Sequence, residues 1–144
     1  MIQPYGVNPK FEYRNPKQIQ MTENQNPKRY DLEGRTLAFA RQIREFVKKL
    51  VCNTANIEDS KQLIRASGSV GANYIEANEA LSKKDFLMRI KICRKEAKES
   101  KYWLNLIDVN DNSSLDNSRE NLMKEAIEST NIFGAILRKV EEKP

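Results

Sequence analysis

The sequence predicts an all-α protein, an antiparallel up-down-up-down four-helix bundle preceded by an N-terminal arm. Three observations carry this expectation. Four segments repeat apolar residues at three- and four-residue steps, the spacing that lines one face of a helix. No segment alternates apolar and polar residues at period two, so no strand is expected. The links between segments are short and polar, which makes consecutive helices antiparallel neighbours. At 144 residues, 39% hydrophobic and 31% charged, the chain suits one soluble domain with a real core.

The arm comes first. Residues 1–29, "MIQPYGVNPKFEYRNPKQIQMTENQNPKR", hold four of the five prolines, many Asn and Gln, and no helical stripe. They read as a flexible, mildly basic tail. Tyr5, Phe11 and Tyr13 interleave with Lys10, Arg14 and Lys17, a composition suited to touching nucleic acid or a partner and equally to a plain solvated tail. The bundle domain is expected over 30–144.

The first helix is expected from Asp31, which offers an N-cap, to about Val51. Its stripe is Leu32, Thr36, Phe39, Ala40, Ile43, Phe46, Val47 and Leu50. "CNTAN" interrupts it. A second helix is expected from near Asn56, with Glu58 and Asp59 suiting the positive end of its dipole. Its stripe runs Leu63, Ile64, Ser67, Val70, Gly71, Tyr74, Ile75 and Asn78. The third start carries the clearest signal: Ser82 caps, Asp85 completes a capping box, and Leu81 is placed to staple onto Phe86. Phe86, Ile90, Cys93, Ala97, Leu104 and Ile107 follow on one face. "DVNDNSSLDN" reads as a polar turn. A last helix then runs to about Glu142 with the stripe Leu122, Met123, Ala126, Ile127, Thr130, Phe133 and Leu137.

"SGSVG", with Gly68 and Gly71, raises a separate question. As a loop it lacks the Lys-Ser/Thr of a phosphate-binding P-loop and any strand to feed it. The RNA-clamping Gly-x-x-Gly loop of KH domains needs an α/β context that is missing as well. As a helix, the apolar stripe passes through it without a slip. Two interior glycines cost about 1 kcal/mol each relative to alanine, so a neighbouring helix is expected to approach closely there.

Composition narrows the function. The chain has no histidine, which removes His-based nucleophile pairs, most zinc sites and the usual general base near neutral pH. Glu96 and Glu99 do not make a bundle di-metal site, because those sites use Glu-x-x-His motifs. No enzyme activity and no cofactor or metal are expected. Cys52 and Cys93 show no motif spacing and read as free thiols. With no apolar run of membrane-spanning length and no signal-like N-terminus, a cytoplasmic protein is expected, with no membrane partner.

Net charge is +5. Between Ser82 and Ile107 eight basic side chains face three acidic ones, which accounts for the whole excess. Lys84, Lys91, Lys95 and Lys98 fall on one side of the third helix, with Arg94 and Lys101 beside them. That stripe spans about 21 Å at helical rise and suits nucleic-acid phosphates, although a solvated face has the same composition. No base-reading aromatic cluster is evident, so sequence-nonspecific binding is expected. Arg65, Asn73, Glu76, Glu96 and Trp103 are expected to serve as interhelical or intersubunit contacts. Ile92, Glu96, Glu99, Trp103 and Leu106 form a second face on the third helix. Ile132, Ile136 and Val140 do the same on the fourth, and both faces suit self-association.

"QLIRASGSVGANYIEANEALSKKDFLMRIKICRKEAKESKYWLNLI", Gln62 to Ile107, resembles the bacterial four-helix-bundle proteins related to those encoded within intervening sequences of 23S ribosomal RNA genes. Arg65, "SVGANY", Glu76, "SKKDF" and "KEAKESKYWL" carry the resemblance, with "YDLEGRTLAFA" at the first helix. It covers roughly residues 30 to 140. It implies a bundle that assembles as a ring, commonly a homopentamer, with no established enzymatic activity. A more distant likeness is to the accessory protein of diversity-generating retroelements, a basic pentamer that binds nucleic acid and a reverse transcriptase. The expected function is therefore non-enzymatic, oligomeric and nucleic-acid-binding, with a protein-docking adaptor as the alternative.

Overall fold

The computed structural model describes residues 31–143. The N-terminal arm lies outside them. The described residues form four helices: α1 (Leu32–Lys48), α2 (Thr54–Asn78), α3 (Lys83–Leu106) and α4 (Ser113–Glu141). No strand occurs among the described residues. Helices α2 and α3 pack most extensively, then α3 on α4 and α1 on α2, while the α1–α4 seam is the most lightly packed. The diagonal backbones stay apart, and only side chains such as Tyr74 of α2 and Phe133 of α4, with ring centroids 5.9 Å apart, meet across the core, which is the arrangement of an up-down-up-down bundle.

Each helix begins on a side-chain cap. Asp31, Asn53, Ser82 and Asn112 accept the backbone N–H groups of Gly34, Asn56, Asp85 and Leu115, satisfying donors the helix cannot. Three sequence expectations are corrected at these ends. Helix α2 starts two residues before Asn56, because Asn53 caps it. The side chain of Asn56 is thereby left to bridge two links. Its amide donates to Val51 O at 3.0 Å and Asp108 O at 2.9 Å, and accepts from Asp108 N at 3.0 Å. The buried Asn56 thus ties the α1–α2 link to the α3–α4 link. Leu81 does not staple onto Phe86, since it is 94% exposed. Half of the polar turn belongs to α4. Asn110 and Asp111 make the reversal in the left-handed region, φ 53° and 58°, which Asn and Asp tolerate best among side-chain-bearing residues. Asn112 then caps a helix that already includes Ser113 and buries Leu115.

The core forms two clusters. One gathers Leu32, Val70, Phe86, Ile90, Cys93, Phe133 and Leu137, and the other Phe39, Ile43, Leu63, Leu104, Ile107, Leu115 and Leu122, among others. Five buried hydroxyl residues among the described residues (Thr36, Ser60, Ser67, Ser100 and Ser129), at least one on every helix, belong to neither. Thr36, Ser67 and Ser100 return their hydroxyl hydrogens to carbonyls one turn back, Leu32 O, Ile64 O and Glu96 O. Their burial therefore leaves no donor unpaired. Both cysteines are free, Cys52 exposed and Cys93 buried. Burial pushes the Cys93 thiol up to about 12, so it stays protonated and unreactive.

"SGSVG" lies within α2. A Cβ at Gly71 would sit 2.9 Å from Thr36 Oγ1 and 3.3 Å from Thr36 Cβ, so α1 approaches the α2 backbone closely here. Gly68 is looser, and a Cβ there would lie 3.6 Å from Arg44 Nη2, the end of a flexible side chain. The two glycines should separate in thermal melts. Gly68→Ala should raise the melting temperature by a few degrees, from a propensity gain of about 1 kcal/mol. Gly71→Ala should lower it, because overpacking costs about 1–3 kcal/mol. Equal gains from both would rule out the close contact.

Candidate nucleic-acid interface

Helix α3 is wedged between α2 and α4, and this fixes its rotation. Phe86, Ile90, Cys93, Ala97, Ser100 and Leu104 are buried together on its inner face. Lys84, Lys91, Lys95, Lys98 and Tyr102 are separated by seven, four, three and four residues and so share the opposite face. All six predicted cations (Lys84, Lys91, Arg94, Lys95, Lys98 and Lys101) are exposed. Two of them meet carboxylates loosely: Lys91 Nζ lies 3.8 Å from Glu141, and Lys95 Nζ lies 3.9 Å from Glu96. Lys84, Arg94, Lys98 and Lys101 have no ion pair among the described residues.

Two surface grooves flank this face. One, of about 770 Å³, runs along the first half of α3, where Met88 and Ile92 sit among Lys84, Lys91 and Lys95. The other, of about 410 Å³, lies between α3 and α4 and is lined by Lys91, Arg94, Lys95, Lys98, Glu99, Tyr102 and Leu137. Its lining and its surroundings include residues the sequence pattern did not bring forward, Tyr102 in the lining and Gly134 and Arg138 beside it. Tyr102 is 57% exposed, with its ring edge-on to Trp103 at a centroid distance of 5.0 Å. Gly134 of α4 lies beneath Arg94, and Arg138 reaches the same point. The available signal was Gly134 and Arg138 one helical turn apart, which gains meaning only once α3 is laid across it.

The polar residues expected as contacts resolve differently. Arg65 bridges α2 to α3, donating to Glu96 at 3.3 Å and Glu99 at 3.1 Å. The Glu96 hydrogen bond, ahead of the charge of either carboxylate, raises the affinity of the Arg65 guanidinium for its proton. Asn73 accepts from Arg89 at 2.9 Å and donates to Ser69. These two residues are therefore interhelical contacts within one chain. Glu76 is exposed and makes no ion pair among the described residues. Glu96 is buried, and its second oxygen, like Trp103 Nε1, has no hydrogen-bond partner among the described residues. Of the two faces suited to self-association, the one on α4 is largely absorbed by the core: Val140 is buried, and Ile132 and Ile136 pack against it. On α3, Leu106 remains 49% exposed and Met88 48%.

Fold and surface together define a helical-bundle protein with one basic helix face and no gathered metal-ligand set among the described residues. A model of the 23S rRNA-intervening sequence protein family matches residues 30–134, and the chain belongs to that family. A crystal structure of a protein of unknown function from the S23 ribosomal protein family of Bacteroides thetaiotaomicron is similar, with a TM-score of 0.66 and 31% identity. The similarity covers 77% of this chain and 98% of that one. No functionally curated protein matches the chain. No helix of the described residues is long and apolar enough to cross a membrane.

The Arg65–Glu96 bridge is testable. Arg65→Gln leaves a buried carboxylate with only Lys95 near it, and should lower unfolding free energy by about 1–2 kcal/mol. This is less than for a fully buried pair, because Arg65 is half in water. Adding Glu96→Gln should recover most of that loss. Urea melts of the two single variants and the double variant measure the coupling.

Proposed function

We propose that the protein is a non-enzymatic homo-oligomeric bundle that binds RNA or DNA through backbone phosphates. The observation that carries this reading is the outer face of α3, where six exposed cations meet, among the described residues, two loosely held carboxylates. Lys84, Lys91, Arg94, Lys95, Lys98 and Lys101 make the contacts. Binding of this kind draws on counterion release and does not depend on sequence. Membership in a family described by an rRNA intervening sequence favours RNA and a cytoplasmic, ribosome-linked setting.

A ring of subunits, five by resemblance to the family, would turn each stripe into part of a continuous positive band. Exposed Met88 and Leu106, half-buried Ile92, and the unpartnered Glu96 and Trp103 atoms supply a surface for a neighbouring copy. The same apolar residues favour the second reading, a protein-docking adaptor with no nucleic-acid contact.

Two measurements separate these readings. Light scattering should return the mass of several protomers, about five, and a monomeric mass would remove the ring. In titrations with generic RNA, affinity should be micromolar at low salt. It should fall by roughly two to three orders of magnitude between 50 and 200 mM salt if about six phosphates are neutralised. Lys91→Glu, Lys95→Glu and Lys98→Glu together should abolish binding. Binding that survives the triple reversal overturns the α3 contact surface, and binding absent at low salt leaves the adaptor reading.

A further inference from the structure

We infer that the α3–α4 groove is a site for a single strand of nucleic acid, in which Arg94 and Arg138 hold a backbone phosphate above Gly134 and Tyr102 stacks a base. This rests on reading α3 as a phosphate-binding face, and it names the kind of strand that face takes.

The first support is the convergence of two guanidiniums. The three atoms nearest to a Cβ built at Gly134 are Arg138 Nη1 at 3.5 Å, Arg94 Nε at 3.7 Å and Arg94 Cζ at 4.0 Å. Two cations from different helices thus reach within 4 Å of one point. Neither forms an ion pair with a described residue. Arg138 suits the last turn of α4, where a cation offsets the helix dipole. That accounts for its place in α4 but not for Arg94 crossing from α3 to meet it. A phosphate between them relieves their mutual repulsion and matches the planar donor geometry of guanidinium. Gly134, itself buried beside the groove, carries no side chain to separate the two guanidiniums. Lys91 and Lys98 line the same groove.

The second support is aromatic. Tyr102 lies on the lysine face of α3, in the same groove, and keeps 57% of its surface in water. Its ring is held by an edge contact to Trp103, the only tryptophan of the chain. Lys98 lies one turn before it, so a strand that tracks the cations brings its bases past the ring. Base stacking on an aromatic ring within a cationic groove is how single strands are held without reading sequence. A duplex keeps its bases stacked inside and offers the same groove only phosphates. Glu99, which also lines the groove, is engaged on its other side by Arg65 at 3.1 Å, and this limits its repulsion of a phosphate.

The test is fluorescence anisotropy of the full chain at about 50 mM salt. It uses a labelled single-stranded RNA and the same RNA annealed to its complement, with circular dichroism melts confirming that each variant folds. Tyr102→Ala should weaken single-strand binding about ten-fold and leave duplex binding unchanged, while Tyr102→Phe should keep both. Arg138→Gln and Arg94→Gln should each weaken both ligands and flatten the salt dependence by about one phosphate contact. If Tyr102→Ala moves neither ligand, or both equally, the single-strand site is overturned while phosphate binding by α3 stands. If Arg138→Gln changes nothing, the phosphate clamp is overturned. If the unaltered chain binds neither RNA at this salt, the α3 reading falls and the single-strand site falls with it.

Discussion

Everything the molecule presents to its surroundings depends on the rotation of α3 about its own axis. That helix is packed on two sides, by α2 and by α4, and must bury Phe86, Ile90, Cys93, Ala97 and Leu104 at once. A rotation of one residue, about 100°, would carry lysines toward the interior, where an unpaired ammonium is among the costliest groups to desolvate. Polar contacts on both flanks reinforce the setting. Towards α2 these are Arg65 on Glu96 and Glu99, and Arg89 on Asn73. Towards α4, Lys83 donates to Lys143 O and Arg94 lies over Gly134. What remains free is one arc, and that arc is basic.

The rest of the bundle is arranged so that this arc can be held without a large apolar interior. Two glycines, at 71 and 134, allow a neighbouring helix to lay a polar side chain across a bare backbone, Thr36 in one case and Arg94 in the other. The chemistry of the two contacts differs. Thr36 is buried and its hydroxyl satisfied by Leu32 O, so Gly71 is a packing contact. Arg94 is exposed and covers the buried Gly134, so this contact lies at the edge of the surface. The lightly packed α1–α4 seam is closed by charge. Arg35 donates to both oxygens of Glu125, at 2.6 and 3.0 Å, and also to Glu128. The hydrogen bond that Arg35 donates to Glu125 outweighs the partial burial of Arg35 and raises its hold on its proton. Partly buried pairs of this kind do more to set which residues face each other than to add net stability.

How much of this could be read from the sequence follows from where each piece of information resides. The four helices, the caps at Asp31 and Ser82, and the passage of α2 through its glycines are local. Periodicity and capping chemistry state them within a dozen residues. The ends of α2 and α4 were harder because Asn and Asp serve equally as caps, turn residues and buried hydrogen-bonding groups. Which of Asn53 and Asn56 caps α2 depends on Asp108, fifty-two residues from Asn56. Leu81 had the spacing of a staple, but Phe86 turns inward to the core and leaves it in water. The basic stripe was legible because it lies on one helix. Tyr102 shares the spacing of that stripe and was legible with it, whereas Arg138 and Gly134 were not, because only the packing of α4 on α3 brings them to Arg94.

The carboxylates near the basic face show how one helix serves two purposes without conflict. Arg65 bonds Glu96 and Glu99 at 3.1–3.3 Å, and Glu96 is almost fully buried. That flank is committed to holding α2 and α3 in register. On the outer face, Lys91–Glu141 and Lys95–Glu96 stand at 3.8 and 3.9 Å, well beyond the 2.7–2.9 Å of a close charge-assisted hydrogen bond. Both lysines are about 61% exposed, so they keep most of their hydration and rotamer freedom. Exchanging such a contact for a phosphate costs little, whereas exchanging the Arg65 bridge would expose a buried charge. The acids of α3 therefore stabilise the bundle on one flank and leave the cations of its outer arc available. The charge that the proposed function needs can then be spent without loosening the fold that positions it.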